Sequence, residues 1–354
     1  MKKIVSALML IVLAITPLNV VNAYDSGCAN VSIAENVINQ YREDENIYYT
    51  IREYISLRSF INDEISYTLY FLEPYGYAIL YNDTYGLMEA CYQETEWLSQ
   101  FEKKANYYYG GPGNYFVDTD DYFESFFSNN VLEEKDIQCI KEAEIVVQNN
   151  EITNANLNGN LTRAVDTSII TRNVAEDYFA NLDEHGTNVN GTCTVLATCM
   201  LLGYFDEFRN DNYILDVYRD GDGTTEEFHQ YMNSVVYGEE EEGGIYIREA
   251  LVGVNRYLSE RGVGTRMHSE YTTPNQAVKK IMNTLILGYP VVASTKVSLG
   301  AQYNHTMVVY GMKYNSTTGL SAGVGVFRVH MGWSSSYNSL YVNSSWFYEC
   351  GYIE

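Results

Sequence analysis

Histidine is scarce in this chain of 354 residues, with five in all and none before position 185. Chemistry that needs an imidazole near neutral pH is therefore confined to the back half. There is no Cys-x-x-Cys pair and no His-Glu-x-x-His motif, so the common zinc signatures are missing and no metal or cofactor is expected. The segment from Asp216 to Glu227 has the loose look of a calcium loop, but Tyr218 stands at a ligand position and argues against one. Basic side chains are few, 22 against 46 acidic ones, for a formal charge of −24. A surface of that sign repels phosphate backbones and anionic lipid, which removes nucleic acid and membrane surfaces from the expected partners. Beyond the N-terminal leader no apolar run reaches the roughly 18 residues of a membrane-crossing helix, and no internal repeat occurs.

What is present begins with that leader. Lys2 and Lys3 precede an apolar run from Ile4 to Leu18, and Val21-Asn22-Ala23 fits a small-x-small cleavage rule. Residues 1–23 read as a secretory signal peptide, to be left out of the fold. No cysteine follows the cleavage point, so release from the cell is expected rather than a lipid anchor, with the cell surface as the alternative location. The cysteines are Cys28, Cys91, Cys139, Cys193, Cys199 and Cys350. An even number in an oxidising compartment permits disulfides, but the spacings are wide and a chain of this length builds a core without them. Asn190-Gly191-Thr192 and Asn304-His305-Thr306 have the form of glycosylation acceptors. Sugars on these two would block a site lying between them, which favours a bacterial exporter.

The front half, residues 24–148, reads as an α+β companion domain. Ile33 to Arg58 is helix-like, with Ile38, Tyr41, Ile47, Ile51 and Ile55 apolar among charges. SYTLYFLEPYGYAIL, from Ser66 to Leu80, alternates, turns at Pro74-Tyr75-Gly76 and alternates again, which predicts a hairpin. Leu87 to Cys91 is a further short strand. The Gly- and Tyr-rich stretch Asn106–Phe116 reads as a loop, and Glu142–Val147 as a short apolar segment. Residues 149–166 are Asn-rich and poor in bulky apolar side chains, the composition of a linker and the kind of place where a chain is cut.

The back half, residues 167–354, holds all five histidines: His185, His229, His268, His305 and His330. In NGTCTVLATCMLLGYFDEF, from Asn190 to Phe208, small turn-prone residues lead into a segment apolar on nearly every side. That predicts a helix buried inside a domain. Cys193 falls at its start, where unpaired N–H groups and the positive end of the dipole stabilise a thiolate. Cys199, six residues further along, reads as plain core. A helix over Glu242–Arg261 ends near Gly262, and Thr273-Pro274 opens another. YPVVAST is a buried strand, and HTMVVYGMKY and GVFRVHMGW alternate as paired strands. His305 opens the first of these two. A thiol on the helix can then face an imidazole on the sheet, the pairing that nucleophilic catalysis on a carbonyl carbon requires. His185, His229 and His268 read as surface residues.

The segments GTCTVLATCMLLGYFD, YPVVAS…QYNHTMVVYGM and VFRVHMGWSSS follow one another as in papain-like cysteine peptidases. From about Ala175 onward the chain resembles secreted bacterial members of the streptopain kind, and less closely the bacteriocin-processing kind. The front half resembles, more weakly, the propeptide of such zymogens. The resemblance implies a papain-like fold in which a central buried helix packs on an antiparallel sheet, preceded by an α+β propeptide-like domain. It implies Cys193 as nucleophile, His305 as base and Trp333 as the ring that shields the pair from water. Two positions depart from the family. Where an Asn or Asp usually orients the histidine, His330 stands, with Asn338 and Asn343 as other candidates. The oxyanion glutamine is missing, leaving Asn188 or Asn190, with the Cys193 N–H, for that role. The implied activity is that of a secreted endopeptidase made as a zymogen, with protein or peptide substrates and its own front domain as intramolecular partner. A papain-fold amidase acting on cell-wall peptides and a non-catalytic binding module that keeps the fold are the alternatives.

Overall fold

Alternating and helical apolar patterns succeed one another along the chain, and the elements follow them. The computed structural model describes residues 30–354 except 103–104, 120, 127–130, 159–168, 183–185, 187, 189–190, 220–224, 239–242, 296–304, 317–324 and 334–337, and only the backbone of 154–158. The front half opens with α1 (Val31–Gln40), whose Asn30 side chain caps the Ser32 N–H. Seven strands follow: β1 (Thr50–Arg58), β2 (Ile65–Glu73), β3 (Tyr77–Tyr81), β4 (Leu87–Cys91), β5 (Tyr107–Tyr109), β6 (Tyr115–Asp118) and β7 (Phe123–Ser125). Helix α2 (Glu134–Asn158) closes this half. The back half runs β8 (Ile169–Asn173), α3 (Glu176–Ala180), α4 (Cys193–Phe208), α5 (Glu226–Tyr237), α6 (Ile247–Arg261), β9 (Met267–Glu270), α7 (Pro274–Ile286), β10 (Val291–Thr295), β11 (Thr306–Asn315), β12 (Val326–His330), β13 (Leu340–Asn343) and β14 (Phe347–Ile353). The result is a mixed architecture of seven α-helices, among the described residues, on one large sheet.

That sheet has the order β7-β6-β5-β1-β2-β3-β4-β13-β12-β11-β10-β14-β9, with β8 alongside β11. Among the described residues only β1 and β5 pair in parallel; the other neighbours are antiparallel. The front half and the back half meet inside the sheet, where β4 pairs with β13 in the register Leu340↔Cys91, Tyr341↔Ala90 and Val342↔Glu89. Both strands are buried throughout. Further ties cross at the same place. Asn343 Nδ2 donates to the Leu87 carbonyl at 2.7 Å, Lys313 Nζ to the Tyr41 carbonyl at 3.1 Å, and the buried Arg328 pairs with Glu43 of the front half and Glu176 of the back.

Helix α4 is surrounded as its sequence requires. Val195, Leu196, Met200, Leu201 and Leu202 are all 0–1% exposed, each contributing about 1.5–3 kcal/mol by burial. The helix stands on β10 and β11 and is flanked by α5 and α6. Helix α7 starts at Pro274 with Thr273 capping the Gln276 N–H, and α6 ends at Gly262 in the left-handed region.

Three front-half readings change. The expected helix over Ile33–Arg58 stops at Gln40, and Thr50–Arg58 is a strand. Ile47, Ile51 and Ile55 recur every four residues, a spacing that fits a helix face and, equally, one face of a strand. The alternate burial of Ile51, Glu53, Ile55 and Leu57 decides for the strand. The stretch read as a loop, Asn106–Phe116, contains β5 and the first half of β6, formed by runs of tyrosine and phenylalanine that favour strands. The expected linker from residue 149 is helical to Asn158, and 159–166 lies outside the described residues.

Candidate active site

Cys193 is the first residue of α4 and is 5% exposed. Hydrogen bonds from the backbone N–H groups of Thr306 and Thr194 and from the Thr306 hydroxyl favour the thiolate. Burial outweighs them and pushes the thiol up from its ordinary range. The helix start is fastened to the sheet by side chains. Thr194 Oγ1 donates to the Ile245 carbonyl at 2.7 Å and lies 2.9 Å from Thr306 Oγ1, which is 2.7 Å from Ser294 Oγ. These hydroxyls tie α4 to β10 and β11 beside the thiol.

His305 immediately precedes Thr306, so the residue that offers its N–H to the Cys193 thiol is chain neighbour to the imidazole. The ring is 6% exposed, and burial pushes its pKa down to about 4, opposed by a bond to a backbone carbonyl. That bond joins Nε2 to the Met331 oxygen at 2.6 Å. A carbonyl only accepts, so Nε2 carries the proton and Nδ1 the lone pair. The ring is thus held in the tautomer whose Nδ1 acts as a base. Trp333 covers it, with ring centroids 4.6 Å apart and planes at 44°.

His330 does not play the part the sequence suggested. It ends β12, fully buried, and its Nε2 lies 3.0 Å from the Leu182 carbonyl while Nδ1 accepts the Gly332 N–H at 3.0 Å. Both nitrogens are therefore engaged away from His305, and the Met331 carbonyl takes the place of an orienting side chain. Asn338 donates to the Leu182 carbonyl at 3.3 Å, and Asn343 faces Leu87, Glu151 and Ser345. Neither meets His305. Asn188 is partly buried with its Oδ1 unpaired among the described residues; Asn190, like His185, lies outside them. Cys199 is core, as read. His229 is 1% exposed on α5, against the surface placement expected of it: the Cβ of Gly186, if present, would lie 2.5 Å from the His229 ring. His268 is exposed and stacks on Tyr352.

Sequence reasoning missed Thr306, Met331 and Tyr348, the last a phenol whose pKa is raised chiefly by burial, with smaller contributions from Glu349, Tyr246 and Cys193. Backbone roles leave no residue-type signal, but a buried Thr directly after the base was there to be read. It also missed how the front half reaches this place. The loop between β5 and β6 lies on the histidine's cover. A Cβ on Gly113 (φ +70°) would come 2.6 Å from the Trp333 ring and 3.2 Å from Met331 Cε, so only glycine fits. The Gly113 N–H is held by Glu89, a fully buried carboxyl that also accepts from the hydroxyls of Tyr77 (2.5 Å), Tyr115 (2.6 Å) and Tyr109 (3.2 Å). Burial raises the Glu89 pKa against all four of these bonds.

No disulfide joins any two of the five described cysteines, and Cys28 lies outside the described residues. Among the described residues no cluster of His, Cys, Asp and Glu is arranged to hold a metal ion, and no helix is long and apolar enough to cross a membrane.

No family model matches the chain, and no curated protein matches it. Among solved structures it is similar to a fragment of prointerpain A from Prevotella intermedia carrying a cysteine-to-alanine mutation. Identity is 12%, the alignment covers 85% of this chain and 98% of that one, and the TM-score is 0.42.

Proposed function

We propose that this chain is a secreted cysteine endopeptidase of the papain-like kind, made as a zymogen, with Cys193 and His305 as its reacting pair. The observation that carries the reading is the tautomer of His305. Its proton is fixed on Nε2 by the Met331 carbonyl, and its lone pair is kept on Nδ1 next to the residue that touches the thiol. In the reaction the thiol proton passes to Nδ1 and the sulfur adds to the peptide carbonyl carbon. The oxyanion is met by the Cys193 N–H at the helix start, with Asn188 or Asn190 as the side-chain donor in this reading. The imidazolium then protonates the leaving amine, and water enters to hydrolyse the thioester and return the thiol. Trp333 keeps bulk water from the ring.

The zymogen part rests on the front half. Gly113 lies on the ring that covers His305, and burial holds the thiol above its ordinary pKa and the imidazole below it. Both shifts disfavour the thiolate–imidazolium pair, so the covered chain is dormant by electrostatics as well as by steric cover. Cleavage between residues 159 and 166 precedes activation in this reading. The leader at residues 1–23 supports export.

The test is hydrolysis of a protein substrate by full-length and cleaved protein, each also as Cys193→Ala. Activity should be higher after cleavage and absent in both variants; hydrolysis that persists without Cys193 sinks the proposal. Cell-wall peptides offered in parallel separate an endopeptidase from an amidase of the same fold.

A further inference from the structure

We infer that His330 is a positioning residue for His305, acting through the turn that follows it and never touching the imidazole; what His305 does is taken from the peptidase reading above. His330 is fully buried at the end of β12. Its Nε2 faces a carbonyl, Leu182 O at 3.0 Å, so Nε2 carries the proton. Nδ1 is then an acceptor, and it takes the Gly332 N–H at 3.0 Å. One neutral tautomer satisfies both bonds; a doubly protonated ring would set N–H against N–H.

The bond to Gly332 closes a tight turn over residues 330–332. Gly332 has φ +72°, and a Cβ there would lie 3.0 Å from Leu196 Cδ2 and 3.3 Å from Met200 Cε on α4. The turn is thus pinned from two sides, by the His330 ring and by the apolar face of the helix that carries Cys193. Between these pins sits the Met331 carbonyl, 2.6 Å from His305 Nε2. Four links follow in order: the Leu182 carbonyl fixes the His330 tautomer, His330 fixes Gly332, the turn aims the Met331 carbonyl, and that carbonyl fixes the proton of His305. A side-chain acceptor such as asparagine would do this in one step. Here one histidine sets the tautomer of another through a peptide unit.

The experiment reads both rings by NMR in the full-length chain, labelled with 15N-histidine and carrying Cys193→Ala, so that no turnover is needed. The expected spectrum shows His305 and His330 each as a single Nε2–H tautomer, with a through-hydrogen-bond coupling from the Gly332 N–H to His330 Nδ1. In His330→Leu the His305 ring should become a mixture of tautomers. His330→Asn, whose Oδ1 can accept from Gly332, should restore the single form. With Cys193 intact and the chain cleaved, His330→Leu should lower kcat about 10- to 100-fold with KM within about twofold, as expected for a misplaced base, and His330→Asn should recover most of it. A single His305 tautomer that survives in His330→Leu overturns the inference, as do equal losses in the two variants. If the leucine variant does not fold, the unsubstituted spectrum decides: absence of the Gly332 coupling overturns it. Linked tautomers in a chain that hydrolyses nothing would defeat the peptidase reading and leave the link standing.

Discussion

Replacing Glu89 by glutamine should loosen the front half and open the way to Cys193. The Glu89 carboxyl accepts four hydrogen bonds, from three tyrosine hydroxyls and the Gly113 N–H, and is 0% exposed. An amide of the same shape keeps one oxygen and turns an NH₂ group toward donors, so about two of the four lose their acceptor. A buried donor without a partner costs about 1–3 kcal/mol, giving roughly 2–6 kcal/mol before relaxation and about 2–4 kcal/mol after it. If the loop around Gly113 gates the thiol, the open population rises tenfold per 1.4 kcal/mol, hence at least about 30-fold. The assay pairs urea unfolding with the rate at which a small thiol reagent modifies Cys193. Both should change together. A destabilisation of at least about 2 kcal/mol with an unchanged labelling rate would show that the front half does not gate the site. Unchanged stability would show that the tyrosine cage is not what holds Glu89.

Glu144 is also fully buried, bonded to the Phe60 N–H at 3.0 Å and to Gln148 at 3.2 Å, and burial raises its pKa to about 7. A carboxyl raised in the folded state gives stability that is present at low pH and lost as pH climbs from its ordinary range through the folded value. Denaturant melts should therefore fall by up to about 3 kcal/mol between pH 4.5 and 7 from this group, and Glu144→Gln should flatten that slope; a steeper one contradicts the assignment. Gly332→Ala places a Cβ in the left-handed region and against Leu196, for about 1–2 kcal/mol of backbone strain and about 1–3 kcal/mol of overpacking. Its urea midpoint should drop accordingly, and its hydrolytic rate by more than the loss of folded protein explains. Burial raises the thiol and lowers the imidazole, and in the proposed zymogen the front half supplies part of it, so the pH dependence of Cys193 labelling should move to lower pH once the chain is cut between 159 and 166. No movement on cleavage would mean that the front half is not the source of those shifts.

The pieces of the back half were legible because their patterns were strong. An apolar stretch with no polar face can only be an interior helix, and Val291–Thr295, Thr306–Asn315 and Val326–His330 are strands where alternation and β-branching put them. The hairpin at Pro74-Tyr75-Gly76 was equally plain. Thr50–Arg58 was misread because isoleucines four apart serve either period, and the tyrosine strands at 107–109 and 115–118 were hidden by the glycines between them. The pairing of β4 with β13 is non-local, and nothing in either segment names its partner. At the site, the residue types pointed to Cys193, His305 and Trp333, and the structure brings His305 and Trp333 into contact and sets Thr306 against the thiol. His330 was noticed for the wrong reason, since an acceptor supplied by a backbone carbonyl has no letter in the sequence.

The most direct test of the account is to treat the folded protein, full-length and cut, with a thiol-reactive peptidyl probe and to map the adduct by mass spectrometry. The account predicts an adduct on Cys193 and none on Cys199 or Cys350, which are fully buried, with faster labelling after cleavage and loss of labelling in His305→Ala. A folded, cut protein in which Cys193 stays unmodified would contradict it, and the fold would then serve binding instead of catalysis.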